Sequence, residues 1–376
     1  MPITAYSKTF KRELQVDQLE DLHSKFLENL KLNKDFRLFV KDDIECPCCN
    51  ISNGIVVREG VSNKSNKVVK QAHFSFKNNQ DQDAHLKFCD YYKGADKIKT
   101  STNNCLVEFK DSDFTTTEII RHLICVAIEN DIIYQSDIRD MRDWFLNIRA
   151  RNDIYLEDSS IILNTLHQMA INENFSKSRY IPIYDYETDP SFELEFEAYK
   201  SLSHNLEKDL LPERNSQIYT QLLLKTNIKK AISISKKDHG FYSFDRTLLK
   251  QEYKKTIHVS YKVISSIPEL SKKYGRSILD KARKNNAFMA YSALLLFTSN
   301  WDIHEAILKH EKIHKIKYVK DLNLGNVIGI NPFLDYQSWS ILKYIHELRE
   351  KNKIQKLNQL YLNEKIKLKN LSYPLL

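Results

Sequence analysis

Four of the six cysteines of this 376-residue chain fall between Ile44 and Tyr92, in the strings IECPCCN and DAHLKFCDYY, and His73 and His85 fall with them. Cys46 and Cys49 have the C-x-x-C spacing with which one tight turn aims two thiolates at a single ion. Pro47 between them fixes φ in favour of that turn. His85 and Cys89 are four apart, so on a helix they would share a face and supply a second pair of ligands. His73, beside Phe74, is the competing imidazole. A Cys3His set drawn from these residues closes a tetrahedral site, so the cofactor expected is a structural zinc ion. Cys48 reads as a bystander. Small thiols buried in an apolar core are the plainer alternative, but the charged setting KDDIECPCCN does not look like a core strand.

The order Cys-Pro-x-Cys, lysine-rich spacer, Ala-His-Phe, downstream cysteine is carried here by Cys46, Pro47, Cys49, His73, Phe74 and Cys89. It resembles the amino-terminal zinc region of the competence-protein CoiA family. In that family a nuclease-like domain usually follows, so the resemblance implies DNA processing. Where the family often has a second histidine after His-Phe, this chain has Phe76, which leaves His85 for a similar role.

Two further constellations invite catalytic readings. Asp185, Glu195, Glu197 and Lys200 offer carboxylates for a metal and a lysine for developing charge, as a nuclease needs. Glu197 and Lys200 are three apart rather than two, and a charge cluster of this kind is more often structural. His310, Glu311 and His314 match H-E-x-x-H, which on a helix places two imidazoles on one face beside a glutamate base. Glu347 is the third ligand that a zinc peptidase would need. Lys309, Lys312 and Lys315 crowd that motif, and a cation buried near the metal is costly unless paired.

The net charge is +8, and its distribution separates the ends of the chain. From Gln251 to Leu376 there are 22 Lys and Arg against 11 Asp and Glu; the first 250 residues carry 35 against 38. Such asymmetry is the footprint that phosphate binding leaves, although lysines also simply solvate helix faces. Lys272, Lys273, Arg276, Lys281, Arg283 and Lys284, with Tyr274 among them, form the expected phosphate-contacting surface. Arg139, Arg142, Arg149 and Arg151 are a weaker set, because Asp137, Asp140 and Asp143 between them favour pairing within one helix.

With seven glycines and neither G-x-x-x-x-G-K nor G-x-G-x-x-G, nucleotide-binding sheets are excluded. The first residues lack the apolar run of a signal peptide, and AFMAYSALLLF (287 to 297) is too short for a bilayer. The expected location is therefore the cytoplasm, of a bacterium with an AT-rich genome.

The elements that must position these residues alternate between short strands and helices. Apolar residues at Leu19, Leu22, Phe26 and Leu30 predict a helix. FRLFV (36 to 40) predicts a strand into the zinc turn, and IVVRE with KVVKQAHFSF predicts a hairpin beyond it. A threonine-capped helix follows at TTTEIIRHLICVAIEN, with His122 and Cys125 packing. CLVEFK, RYIPIYDYE, YTQLLLK and KKAISISK read as strands, and from about Tyr253 onward the pattern is helical and basic. The expected fold is α+β, mainly helical. Its parts are a zinc-bound hairpin and helix module (1–112), a mixed helix and strand domain (113–250) and a basic helical domain (251–376). The expected function is nucleic-acid binding, DNA favoured, in bacterial DNA processing or phage defence. A nuclease, a zinc peptidase and a protein–protein adaptor are the alternatives, and a homo-oligomer or partner protein is compatible with the amphipathic last helices.

Overall fold

Strands β1 (Thr4–Ser7) and β2 (Arg12–Gln15) pair antiparallel from Thr4↔Gln15 to Ser7↔Arg12, and the chain enters helix α1 (Val16–Leu30) directly from β2. These come from a computed structural model that describes residues 2–30, 35–61, 68–92, 114–175, 194–205, 210–237, 239–320, 330–351 and 357–371. FRLFV is not a strand: it opens helix α2 (Phe36–Asp43). The Asp35 carboxylate accepts from the amides of Arg37 at 2.7 Å and Leu38 at 3.3 Å, and this cap outweighs the β-like composition of a short apolar run. Strand β3 (Ile44–Glu45) then adds to β1, giving the order β2-β1-β3.

The hairpin is present as β4 (Gly54–Val57), β5 (Gly60–Val61), β6 (Val68–Lys70) and β7 (His73–Phe76), with β4 paired to β7 and β5 to β6. Gly54 is needed for close approach, since a Cβ there would lie 2.5 Å from Cδ1 of Ile44 and 2.8 Å from the Phe76 ring. Residues 62–67, expected as the hairpin loop, lie outside the described residues.

Helix α3 (Phe114–Glu129) runs through the threonines expected to cap it, and Thr116 and Thr117 are buried rather than exposed at its start. Cys125 is fully buried, as a packing residue should be. Helix α4 (Gln135–Arg151) follows. The next elements are β8 (Asp153–Tyr155), α5 (Ser160–Phe175), α6 (Leu194–Asn205), α7 (Gln217–Leu222), α8 (Lys225–Lys237) and β9 (Tyr242–Phe244), β8 pairing with β9. YTQLLLK and KKAISISK, expected as strands, therefore lie in α7 and α8. Ser216 Oγ accepts from the Tyr219 amide at 3.1 Å, and Ile228, Ala231 and Ile234 are buried at helical spacing. CLVEFK and RYIPIYDYE lie outside the described residues.

Helices α9 (Lys250–Ser266), α10 (Pro268–Tyr274), α11 (Ile278–Lys284), α12 (Asn286–Phe297) and α13 (Ile303–Lys315) form the basic helical run, and α14 (Tyr336–Glu350) and α15 (Leu357–Leu371) complete the chain. Every residue of α12 from Ala287 to Leu296 is buried, so this apolar segment is core. The architecture is α+β and mainly helical. No helix among the described residues is long and apolar enough to cross a membrane.

The chain forms two units, each built from two stretches: residues 1–153 with 249–334, and 154–248 with 335–376. The boundary expected after residue 112 lies outside the described residues. The one expected after residue 250 falls beside the return to the first unit. The expected carboxy-terminal domain is shared between the units at Leu334 and Asp335. In the first unit, β1, α1, α2 and β7 wrap a core in which Cys46, Cys48, Cys49 and Cys89 are themselves members.

Candidate metal centre

The knuckle is made locally. The Cys46 amide donates to the Ile51 carbonyl at 2.8 Å, the Asn50 amide returns to the Cys46 carbonyl at 3.1 Å, and the Cys48 amide points at Cys46 Sγ at 3.4 Å. Asn50 adopts φ +58, a left-handed conformation asparagine accepts readily. The second pair of ligands does not sit on a helix. His85 is presented by an Asp83 turn, its amide donating to Asp83 Oδ1 at 3.0 Å, and Cys89 follows Phe88, whose φ is +66. The four-residue spacing is closed by turns, with the Cys89 amide on the Leu86 carbonyl at 3.0 Å.

Cys46, Cys49, His85 and Cys89 offer four ligand atoms within 4.8 Å of one another, all from buried residues, and no other group of three or more His, Cys, Asp or Glu that could hold a metal occurs among the described residues. Cys46 and Cys89 sulfurs are 3.8 Å apart, and Nδ1 of His85 lies 3.5 Å from Cys49 Sγ and 3.6 Å from Cys89 Sγ. A tetrahedral ion bonded to sulfur at about 2.3 Å and to imidazole nitrogen at about 2.05 Å sets edges of about 3.8 Å and about 3.6 Å. The donor set therefore fits one four-coordinate ion, and the group can bind a metal.

The thiols also show what a bound cation would change. Cys49 is held far below the ordinary thiol range by hydrogen bonds from Cys46 and Cys89, with His85 adding, whereas burial and the neighbouring sulfurs push Cys89 up. One thiolate suppresses the next. A divalent ion removes that conflict, since it holds several thiolates at once.

His73 is not part of the group. It is buried on β7 with Nδ1 3.0 Å from the Gln71 carbonyl, and only the His85 imidazole lies with the three sulfurs. His85 is fixed by the edge of Phe76, 5.3 Å between centroids. Cys48 stands outside the four, its sulfur 3.7 Å from Asp90.

Residues that sequence reasoning assigned elsewhere hold this turn in place. Arg142, buried on α4, donates to Glu13 at 2.8 Å and to the Pro47 carbonyl inside the knuckle at 3.2 Å. Arg139 donates to Asn50 at 3.0 Å, pairs with Glu45 and lies over the Tyr6 ring. Arg149 grips Asp90 at 2.8 and 3.4 Å. All three bond to groups outside α4, and Arg142 and Arg149 are buried. The available signal was their spacing, since positions 139, 142 and 149 recur on one helix face.

No protein-family model matches the chain, and no similar curated protein or solved structure was found. The chemistry must be read from the molecule itself.

His310 is a core residue. Its Nε2 is 2.8 Å from Ser266 Oγ and its Nδ1 3.2 Å from the Tyr291 hydroxyl, so both ring nitrogens are engaged, and His314 stacks beside it at 5.8 Å. His310, Glu311 and His314 belong to no metal-capable group among the described residues. Burial draws His310 down to about 4, and His314 adds to the shift. The unfolded imidazole binds its proton near 6.5, so stability from this residue is complete above that pH and declines as the pH falls toward 4. The expected loss is about 3 kcal/mol. Urea midpoints measured from pH 7 to pH 4 should therefore fall more steeply for wild type than for His310→Asn, which carries no titrating ring.

Asp185 lies outside the described residues. Glu195 and Glu197 are on helix α6, where Glu195 is exposed and paired with Lys365 at 2.9 Å, while Glu197 is buried and paired with Lys200 at 3.0 Å. They share no face.

The basic segment is on the surface. Lys272, Lys273, Arg276, Arg283 and Lys284 are exposed and Lys281 is half-buried. Lys284 pairs with Asp280 at 2.7 Å, and none of the other five has an ion pair among the described residues. Lys273 and Lys281 each lie 5.3 Å from the centre of the Tyr274 ring, whose hydroxyl meets Thr116 at 2.8 Å.

Proposed function

We propose that this is a nucleic-acid-binding protein, DNA favoured, whose amino-terminal module is held together by a structural zinc ion. The observation that carries the reading is the run of exposed cations Lys272, Lys273, Arg276 and Arg283 along residues 272–284, which have no carboxylate partner among the described residues. It sits in a helical stretch, residues 250–320, with 15 Lys and Arg against 6 Asp and Glu. Unpaired surface lysines and arginines repel one another, and a polyanion is the ligand that relieves this.

Zinc is favoured by three thiolates and one imidazole at tetrahedral spacing, with all four positions taken by protein so that none is left for a substrate. The ion shapes the module; Lys272, Lys273, Arg276, Lys281, Arg283 and Lys284 hold phosphates. The resemblance of the Cys46 to Cys89 stretch to the CoiA zinc region is what favours a role in bacterial DNA processing or phage defence.

The test is salt dependence. Duplex DNA should bind at low salt with an affinity that falls linearly in log–log form. The Lys272→Ala, Arg276→Ala, Arg283→Ala triple variant should make that slope shallower by roughly 2 to 3, near 0.9 for each lost phosphate contact. A slope unchanged in the variant, or no binding at low salt, would remove the reading.

A further inference from the structure

Of the three tryptophans, Trp339 is buried to 1% exposure in the second unit, whereas Trp144 and Trp301 are both half-buried in the first. Trp144, on α4, lies 5.4 Å from the ring of Trp301 and 5.7 Å from that of Phe297, the last residue of α12. The backbone that presents Trp301 is costly. Helix α12 ends with the Trp301 amide on the Leu296 carbonyl at 2.7 Å and the Asn300 amide on that of Phe297 at 3.2 Å. This closing motif needs one left-handed residue, and glycine usually supplies it. Here two successive residues are left-handed, Asn300 at φ +48 and Trp301 at φ +61. Asparagine tolerates that conformation; a bulky aromatic does not adopt it without cause.

Two ammonium groups brace the turn that carries Trp301. Lys255 Nζ donates to the Trp301 carbonyl at 2.8 Å and Lys309 Nζ to the Thr298 carbonyl at 2.6 Å, each with further protons to offer. We infer that Trp144 and Trp301 form a stacking platform for the bases of a single-stranded nucleic acid, a reading that rests on the nucleic-acid function proposed above. A ring face can meet a base only where the base is unstacked, which a duplex does not offer and a single strand does. Every base has such a face, so no sequence preference is required. Charge complementarity selects the occupant: a strained, partly accessible indole beside ammonium groups, in the unit that carries the basic helices, suits a chain of phosphates bearing aromatic bases.

The experiment uses the full zinc-loaded chain with oligothymidylate and with duplex DNA of equal length, at low salt. Binding is followed by anisotropy of the labelled nucleic acid and by indole emission, in which buried Trp339 is the silent reference. Oligothymidylate should quench the emission. Trp301→Ala and Trp144→Leu, each checked for retained zinc, should weaken single-strand binding roughly 5- to 100-fold and leave duplex binding unchanged. Single-strand binding without a change in emission would overturn the platform, as would equal weakening of both ligands by the tryptophan variants. Duplex binding with no single-strand binding also sinks the platform alone. If neither ligand binds, the nucleic-acid reading fails and takes the platform with it.

Discussion

Stripping zinc from the protein is expected to unfold the stretch from Ile44 to Tyr92 and to loosen the core around it. Cys46, Cys49 and Cys89 are core members beside Phe74, Phe76 and Phe88, so the proposed ion would be part of the packing of that core. Structural zinc in such modules is worth about 10–16 kcal/mol of apparent folding free energy near pH 7, and less in acid, where the ligands regain protons. Metal analysis should find one tightly held ion per chain. Hydrogen exchange across residues 44–92 should rise sharply in strong chelator and recover when zinc is returned. Cys89→Ser should behave like the chelated protein, whereas His73→Gln should keep its ion, because His73 lies outside the four-atom group of Cys46, Cys49, His85 and Cys89. Protection that stays native in fully metal-free protein would dispose of the centre.

The second large effect is expected at Arg142. Truncation to alanine leaves the Glu13 carboxylate, 9% exposed, without its 2.8 Å partner, and releases the Pro47 carbonyl inside the knuckle. Removing one member of a buried ion pair costs about 3–5 kcal/mol, mostly through the charge left behind. Outer contacts that fix a metal-binding turn commonly carry roughly 10- to 100-fold in metal affinity. Denaturant midpoints should fall accordingly, and competition with a chromogenic chelator should show faster zinc loss. Arg142→Met combined with Glu13→Leu should recover most of the stability but not the zinc affinity, since the Pro47 carbonyl still lacks a donor. Stability and zinc affinity both unaltered in Arg142→Ala would mean that α4 does not support the turn.

Errors in reading the chain share a cause. FRLFV, YTQLLLK and KKAISISK are short apolar or β-branched runs, for which strand and helix patterns overlap. Caps at Asp35 and Ser216 decided two of them, and both caps stand in the sequence immediately before the element. The turns at His85 and Cys89 were harder, since a four-residue spacing suits a helix face equally well and Phe88 at φ +66 is set by its surroundings.

The sequence by itself determined what is local: the thiols of Cys46 and Cys49 share one turn whatever surrounds them, and the lysines of the last third lie on helices. It also determined the mainly helical α+β character, because helical periodicity in long segments needs no partner to be seen. Only the tertiary structure brought His85 rather than His73 to the thiols, buried Arg142 and Arg149 and set Arg139 beside the Cys46–Cys49 turn, and set both nitrogens of His310 on hydroxyls. It also showed that, of the six cations between residues 272 and 284, Lys284 alone has a carboxylate partner among the described residues. Those outcomes depend on residues up to 129 positions apart, as in the Arg142–Glu13 bond. Nothing in a residue's near neighbourhood encodes which distant group will meet it; packing of the whole unit does.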